Sequence, residues 1–431
     1  MRAKIHDMNI KELLDSHVVI NKYKKDTKGE VFTPFKFALK VVNEFPSSVW
    51  SDPDFKWLEP SAGIGNIAIV VYFKLMEGLK KWEKNESKRS EHIIKNMLYM
   101  VELDKENCDK ILDIFGNNVN LICGDFLADH KNSFCDHLSF DCIVGNPPFQ
   151  DDYGVNKNGK RILGGRSKLY ERIFIKSFSM LKNNGYLAFI VPDNMFAGNG
   201  SKSYQILIQN NVPFVSFNPH NQTFFPTIQQ YICYFLLHKT QQKIPTSKTT
   251  IESNNHTFIT ELQNRPVNPV RNWNKHTENL IQTFVSNDKN ETKYNRGKPI
   301  SFYNGSKYPI IYTPSKLLHT NNIELAVGKG IKKAVIFAIS TQLEFKMDYT
   351  GKYGVGPNTF YIPFVSTTQG KHLEKFLNSK QYKTLALATK TTRQYLKNAF
   401  IQHLKLTKIF NDNVKTKKKK NIANKTRKNK Y

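Results

Sequence analysis

The sequence predicts an α/β protein: a doubly wound, mostly parallel seven-stranded sheet, followed by a second, C-terminal α+β domain. Three observations predict it. Short apolar runs recur through the first 240 residues and end in polar or turn residues, as parallel strands covered on both faces do. Segments of helical spacing lie between them. Beyond residue 300, apolar strand-like runs return after a polar stretch.

The strands are read at FKWLEP (Phe55–Pro60), MLYMVEL (Met97–Leu103), VNLICGD (Val119–Asp125), FDCIVGN (Phe140–Asn146) and GYLAFIVP (Gly185–Pro192). QQYICYFLLHK (Gln229–Lys239) is expected to close one sheet edge. In SKLYERIFIKSFSMLKNNG, Leu169, Ile173, Phe174 and Phe178 recur every three to four residues, with Gly185 as the expected stop. The charged segment LKKWEKNESKRSEH reads as a surface insertion. This order places an α/β domain at 1–240, linker and variable loops at 241–300, a second domain at 301–408 and a basic tail without apolar periodicity at 409–431.

Lys and Arg number 64 against 36 Asp and Glu, a formal charge of +28. Such a surface attracts polyanions, nucleic acid above all. Lys, Asn and Ile enriched together can equally reflect codon bias toward A and T. No long uncharged apolar run marks a membrane span, and the polar N-terminus lacks the apolar core of a signal peptide. The five cysteines form no CxxC pair and show no metal-ligand spacing, which reads as a reduced, intracellular protein without a metal site.

In LEPSAGIGNIAI a strand runs through Glu59 into Ser61, Ala62, Gly63 and Gly65 and then a helix. Glycines at such a turn allow tight dihedrals and close approach of a ligand to the backbone. With Ala68 the spacing satisfies a loose Rossmann-like GxGxxG/A, although a purely structural turn would show it too. Glu102 ends the second strand, where an acid can accept both ribose hydroxyls; Asp125 and Phe126 follow the third, where a carboxylate and a ring can hold an exocyclic amine and its heterocycle. Each acid alone is as well explained as a cap or solvated loop residue. Together, at strand carboxyl ends, they point to an adenosine-bearing cofactor.

The fourth strand ends in Asn146, Pro147, Pro148 and Phe149. The Asn146 side-chain oxygen and the Pro147 carbonyl can both accept hydrogen bonds from one amino group, and proline brings no N–H to occupy the site. Phe149 offers a face for a planar base. Two acceptors favour a tetrahedral nitrogen whose lone pair can attack an electrophilic methyl. The structural alternative is a proline-terminated strand with a core Phe.

GEVFTP, EPSAGIGN, VELD, CGDF and GNPPF, in this order, resemble the amino-group DNA methyltransferases. They are most similar to the N6-adenine enzymes of type II restriction–modification systems in the gamma arrangement. The resemblance implies S-adenosylmethionine as cofactor and double-stranded DNA as partner, with a C-terminal target-recognition domain and a cognate restriction endonuclease alongside. It implies an intracellular setting, cytoplasmic in a prokaryote and host cytoplasm or nucleus in a virus or eukaryote. It places Phe32, Thr33 and Pro34 against the methionine part of the cofactor, Glu59, Ser61, Ala62, Gly63 and Gly65 along its methionyl and ribose region, Glu102 on the ribose, Asp125 on the adenine amine and Phe126 on its ring. Asn146, Pro147, Pro148 and Phe149 would hold the target adenine, with Phe224 or Phe225 as a second face for the extruded base.

The cationic Gly159–Lys168 segment reads as a loop closing over DNA, and the lysines from Lys415 to Lys420 as a source of non-specific affinity or a nuclear signal. Competing readings are an RNA base or protein-glutamine N-methyltransferase, a non-catalytic DNA-binding relative, a dehydrogenase using the glycine turn, and a nuclease built on Glu344 and Lys346, a spacing that Glu86 and Lys88 repeat.

Overall fold

The computed structural model describes residues 4–15, 33–131, 133–149, 168–197, 201–217, 231–240, 248–254, 256–262, 265–338, 342–390 and 398–411. The chain divides into two compact units. One comprises Met1–Met195 with Gly200–Gln263, the other Phe196–Asn199 with Asn264–Tyr431.

The first unit is built on one sheet of β1 (Trp57–Glu59), β2 (Leu98–Glu102), β3 (Asn120–Cys123), β4 (Phe140–Gly145), β5 (Leu181–Pro192), β6 (Asn211–Phe217), β7 (Ile232–His238), β8 (Lys248–Ser253) and β9 (His256–Glu261). Their order is β3-β2-β1-β4-β5-β7-β6-β8-β9. From β3 to β5 all pairs are parallel, with Leu58 of β1 opposite both Tyr99 and Ile143. β7 runs antiparallel to β5 and β6. The central strands are buried along their length, which explains their uninterrupted apolar runs.

Three expectations are corrected here. The sheet has nine strands among the described residues, because β8 and β9 fall inside the 241–300 stretch read as linker. In β8 the inward positions are Thr249, Ile251 and Ser253, so only one large aliphatic signals the strand. β7 lies between β5 and β6 instead of at an edge. The helix Leu169–Met180 ends before Gly185, which sits within β5 behind an irregularity where Asn184 takes φ 62°.

Helices pack on both sides of the sheet. Helix Phe35–Val42 buries Phe37 edge-on against Tyr234 of β7, centroids 5.5 Å apart. The charged segment read as an insertion forms helix Glu86–His92, which packs inward: Arg89 is 2% exposed and donates to the Glu83 carbonyl, and Ser90 meets the Tyr72 hydroxyl at 2.8 Å. The cysteines are also corrected. Cys108 and Cys123 form a disulfide, Cα–Cα 6.1 Å, joining helix Lys105–Phe115 to the end of β3. Their 15-residue separation carries no local signature, since only the packing of that helix beside β3 makes them neighbours. No described helix is long and apolar enough to cross a membrane.

The second unit holds an antiparallel sheet in the order β10 (Lys293–Asn295), β16 (Thr359–Pro363), β13 (Lys333–Phe337), β14 (Phe345–Asp348). A three-stranded sheet runs β12 (Leu317–Thr320), β11 (Tyr308–Ile311), β15 (Gly354–Val355). Helices Lys275–Phe284, Thr367–Leu377 and Lys380–Thr389 bury Phe284, Leu373, Phe376 and Tyr382 in one core with Ile336 and Ile362 of the larger sheet. Helix Lys275–Phe284 lies in the expected linker, at the HTENLIQTFVSN stretch whose sequence reads as a helix; its start is fixed by Asn274 and Thr277, which cap it reciprocally. A fully buried ion pair, Lys333 Nζ to Asp348 Oδ2 at 2.8 Å, anchors the turn after β14. Asp348 there also accepts from the N–H groups of Thr350, Gly351 and Tyr353.

Candidate active site

The carboxyl ends of β1, β2, β3 and β4 lie side by side, because these strands are neighbours in the sheet. The turn after β1 is held by three bonds. Ala62 N–H donates to the Val101 carbonyl of β2 at 3.0 Å. Gly63 N–H, at φ 56°, donates to Glu102 Oε2 at 2.7 Å, and Ala68 N–H in the following helix donates to Glu59 Oε2 at 2.9 Å. Gly65, at φ 86°, is the left-handed N-cap of helix Asn66–Gly78, where a side chain would be strained. Glu59 is buried, and burial pushes its carboxyl well above the usual carboxylate range, with the nearby Glu102 charge adding to the rise.

Glu102 uses both oxygens structurally: Oε1 accepts from Asp104 N–H at 2.8 Å while Oε2 holds Gly63. Asn107 Nδ2 also donates to Oε1, at 3.5 Å. Asp125 is exposed beyond β3, its Oδ1 accepting from Leu127 N–H at 2.9 Å. Phe126 differs from the flat platform expected of it. Its ring is 4% exposed, with the Lys176 ammonium 5.0 Å from the centroid. The same ammonium donates to the Ala128 carbonyl at 2.9 Å, tying this loop to helix Leu169–Met180.

β1 and β4 bring the two principal motifs into contact. A Cβ at Gly145 would stand 3.3 Å from the Pro60 ring, so a larger residue at the end of β4 would have to push that ring aside slightly. Asn146 is half-buried, Pro147 buried, Pro148 exposed and Phe149 half-buried. Asn146 Nδ2 donates to Thr33 Oγ1 at 3.1 Å, which leaves Oδ1 as the acceptor end of the amide. The Thr33 carbonyl in turn accepts from Asn66 Nδ2 at 2.9 Å. One buried threonine thus links the Asn146–Phe149 turn to the helix that follows the glycine turn. Pro34 is the extended N-cap of helix Phe35–Val42.

The sequence reading missed three residues. Asn66 was passed over as a helix residue. Tyr170 meets the Phe149 ring edge-on at 6.4 Å and donates from its hydroxyl to Asn194 Oδ1 at 2.8 Å. Burial pushes the Tyr170 phenol well up, the neighbouring Glu171 charge adding to it, so it stays a donor. Asn194 follows β5 in VPDN, a polar pair directly after a buried strand, and that pairing was the available signal. Phe32, Phe224, Phe225 and residues 159–167 and 412–431 lie outside the described residues. Glu344 and Lys346 flank Phe345 at the start of β14, and among the described residues no cluster of three His, Cys, Asp or Glu is placed to hold a metal.

The sheet, with β7 inserted antiparallel, is the methyltransferase fold, and a separate antiparallel sheet region accompanies it. Residues 34–224 match the family of the Eco57I restriction-modification methylase. The modification methylase CviBIII of Paramecium bursaria Chlorella virus NC1A is 32% identical over 191 residues, 43% of this chain and 43% of that one. An uncharacterized adenine-specific methylase of Mycoplasma pneumoniae is 25% identical over 236 residues, 38% of this chain and 54% of that one. The chain thus spans about half the length of these curated relatives. Among solved structures, the Type IIL restriction-modification enzyme MmeI in complex with DNA shares the fold at a TM-score of 0.51 and 11% identity, over 91% of this chain and 70% of that one.

Proposed function

We propose that this chain is a site-specific DNA methyltransferase that moves the methyl group of S-adenosylmethionine to the N6 amino group of adenine in duplex DNA, within a restriction–modification system. The order of its motifs is the gamma arrangement: glycine turn, NPPF turn, then the second unit as target-recognition domain. The observation that carries the reading is the Thr33 bridge, which couples Asn146 to the helix of the glycine turn. The match of residues 34–224 and the names of the curated relatives support it.

The residues fit the cofactor. Among the described residues Ser61 Oγ, buried at the glycine turn, has no hydrogen-bond partner, a site that a ligand's polar group would satisfy. Ser61, Gly63 and Gly65 would lie along the methionyl part, Glu102 would take the ribose hydroxyls and Asp125 the adenine amine. When bound, the cofactor supplies an electrophilic methyl on a sulfonium. Asn146 Oδ1, aimed by Thr33, accepts one hydrogen of the target amine and the Pro147 carbonyl the other, drawing the nitrogen toward a tetrahedral geometry whose lone pair is available. Phe149, braced by Tyr170, stacks on the extruded base, and the cationic chain offsets the cost of unstacking through phosphate contacts.

Labelled S-adenosylmethionine offered with unmethylated duplex DNA, RNA and glutamine-containing protein tests this. Label recovered as N6-methyl-2′-deoxyadenosine from the duplex alone is expected. Label in RNA or protein alone would replace the reading with one of its rivals.

A further inference from the structure

Resting on the reading of the chain as a DNA methyltransferase, we propose that a lysine–tyrosine belt around the three-stranded sheet of the second unit seats the phosphate backbone of duplex DNA. The ring of Tyr308, first residue of β11, has two ammonium groups beside it, Lys307 Nζ at 5.2 Å and Lys329 Nζ at 5.4 Å from the centroid. Lys316 Nζ stands 5.9 Å from the Tyr312 ring and Lys352 Nζ 5.7 Å from Tyr353. All four lysines are exposed. Among the described residues no carboxylate lies within ion-pair distance of any of them. Between residues 296 and 352 the sequence carries nine Lys or Arg against three acids, Glu324, Glu344 and Asp348. Asp348 is consumed by buried Lys333, and that pair fixes the turn carrying Lys352 and Tyr353.

Concentrating like charge without acidic partners works against folding, and a polyanion relieves it. An aromatic face attracts an ammonium without using its N–H donors, so each lysine is held in place with three donors available to a phosphate oxygen. The fixed Asp348 turn and the hydrogen-bonded strands make this a rigid cationic surface, as backbone seating requires.

The test is the salt dependence of binding to a labelled 30-base-pair duplex, read by fluorescence anisotropy with full-length protein. The quadruple variant K307Q/K316Q/K329Q/K352Q should lower the slope of log affinity against log salt by about 3.6, and each single variant by about 0.9. Wild type should therefore lose roughly a hundredfold more affinity than the quadruple variant between 50 and 200 mM salt. The control K371Q/K375Q/K380Q/K383Q removes exposed lysines from the two helices of the same unit and should leave the slope within about 1 of wild type. An unchanged slope in both the quadruple and single belt variants would overturn the proposal. So would an equal fall in the control, or belt-dependent binding to phosphatidylserine vesicles but not to the duplex. Failure of wild type to methylate DNA would instead sink the functional reading and leave these slopes interpretable.

Discussion

Replacing Glu102 by Gln is the sharpest probe of how the glycine turn is built. The substitution keeps the volume, so no cavity forms. The carboxylate offers an acceptor to each of two backbone donors, Gly63 N–H at 2.7 Å and Asp104 N–H at 2.8 Å. An amide offers only one oxygen, and its NH2 must confront the other N–H donor to donor. If it faces Gly63, the φ 56° turn loses its anchor. If it faces Asp104, the strain falls on the N-cap of helix Lys105–Phe115, where the Asp104 side chain holds Glu106 N–H. Glu102 is 8% exposed, so water compensates poorly. The loss of one charge-assisted bond and the opposed donor together cost about 1.5–3 kcal/mol. Urea unfolding should register most of that as a lower midpoint, and calorimetric titration should show S-adenosylmethionine binding about 10–100-fold weaker, since 1.4 kcal/mol is a decade. A variant within about 0.5 kcal/mol of wild type and with unaltered affinity would refute the assigned role.

Other outcomes follow from the same geometry. Thr33→Val removes the acceptor that orients Asn146; kcat should fall about 10–100-fold with cofactor affinity retained and Thr33→Ser restoring the rate, whereas a wild-type kcat would deny Thr33 a positioning role. Burial, with the Glu252 charge adding, raises the Glu44 carboxyl to about 7 against the pull of the Tyr234 hydroxyl. A raised folded value gives stability that is complete below 4.5 and fades as pH rises through about 7. Unfolding of wild type and Glu44→Gln across that range should therefore show wild type losing ground to the variant from 4.5 to about 7 and holding level above, and a pH-independent difference would contradict it. Asp348→Asn strands the buried Lys333 ammonium and should cost about 3–5 kcal/mol in denaturant unfolding; a loss below about 1 kcal/mol would show that the pair is not what holds the turn.

The sequence was most legible where burial is complete. β1, β2, β4 and β7 are covered on both faces, so continuous apolar runs marked them to within three residues at either end. β8 and β9 were illegible because Thr and Ser hold two of the three inward positions of β8, and β9 ends the sheet order, largely uncovered. Arg89 was read as surface because nothing in a charged string tells which cation turns inward to cap carbonyls. At the candidate site, short motifs gave residue identities but not the bonds between them. Thr33 and Asn146 are 113 positions apart, and their contact exists only once β4 lies beside β1. Phe126 looked like a platform in the string CGDF, yet its ring is packed under Lys176, a residue 50 positions later.

The central claim is that the Asn146 amide, held by Thr33, activates an adenine amine. Its most direct test is single-turnover transfer of labelled methyl into unmethylated duplex DNA by wild type and Asn146→Ala, with the product nucleoside identified by mass and cofactor affinity measured on both proteins. The account predicts N6-methyl-2′-deoxyadenosine from wild type, a rate about 10²–10³-fold lower or more for the variant, and equal cofactor binding. A variant that methylates adenine at the wild-type rate would contradict it.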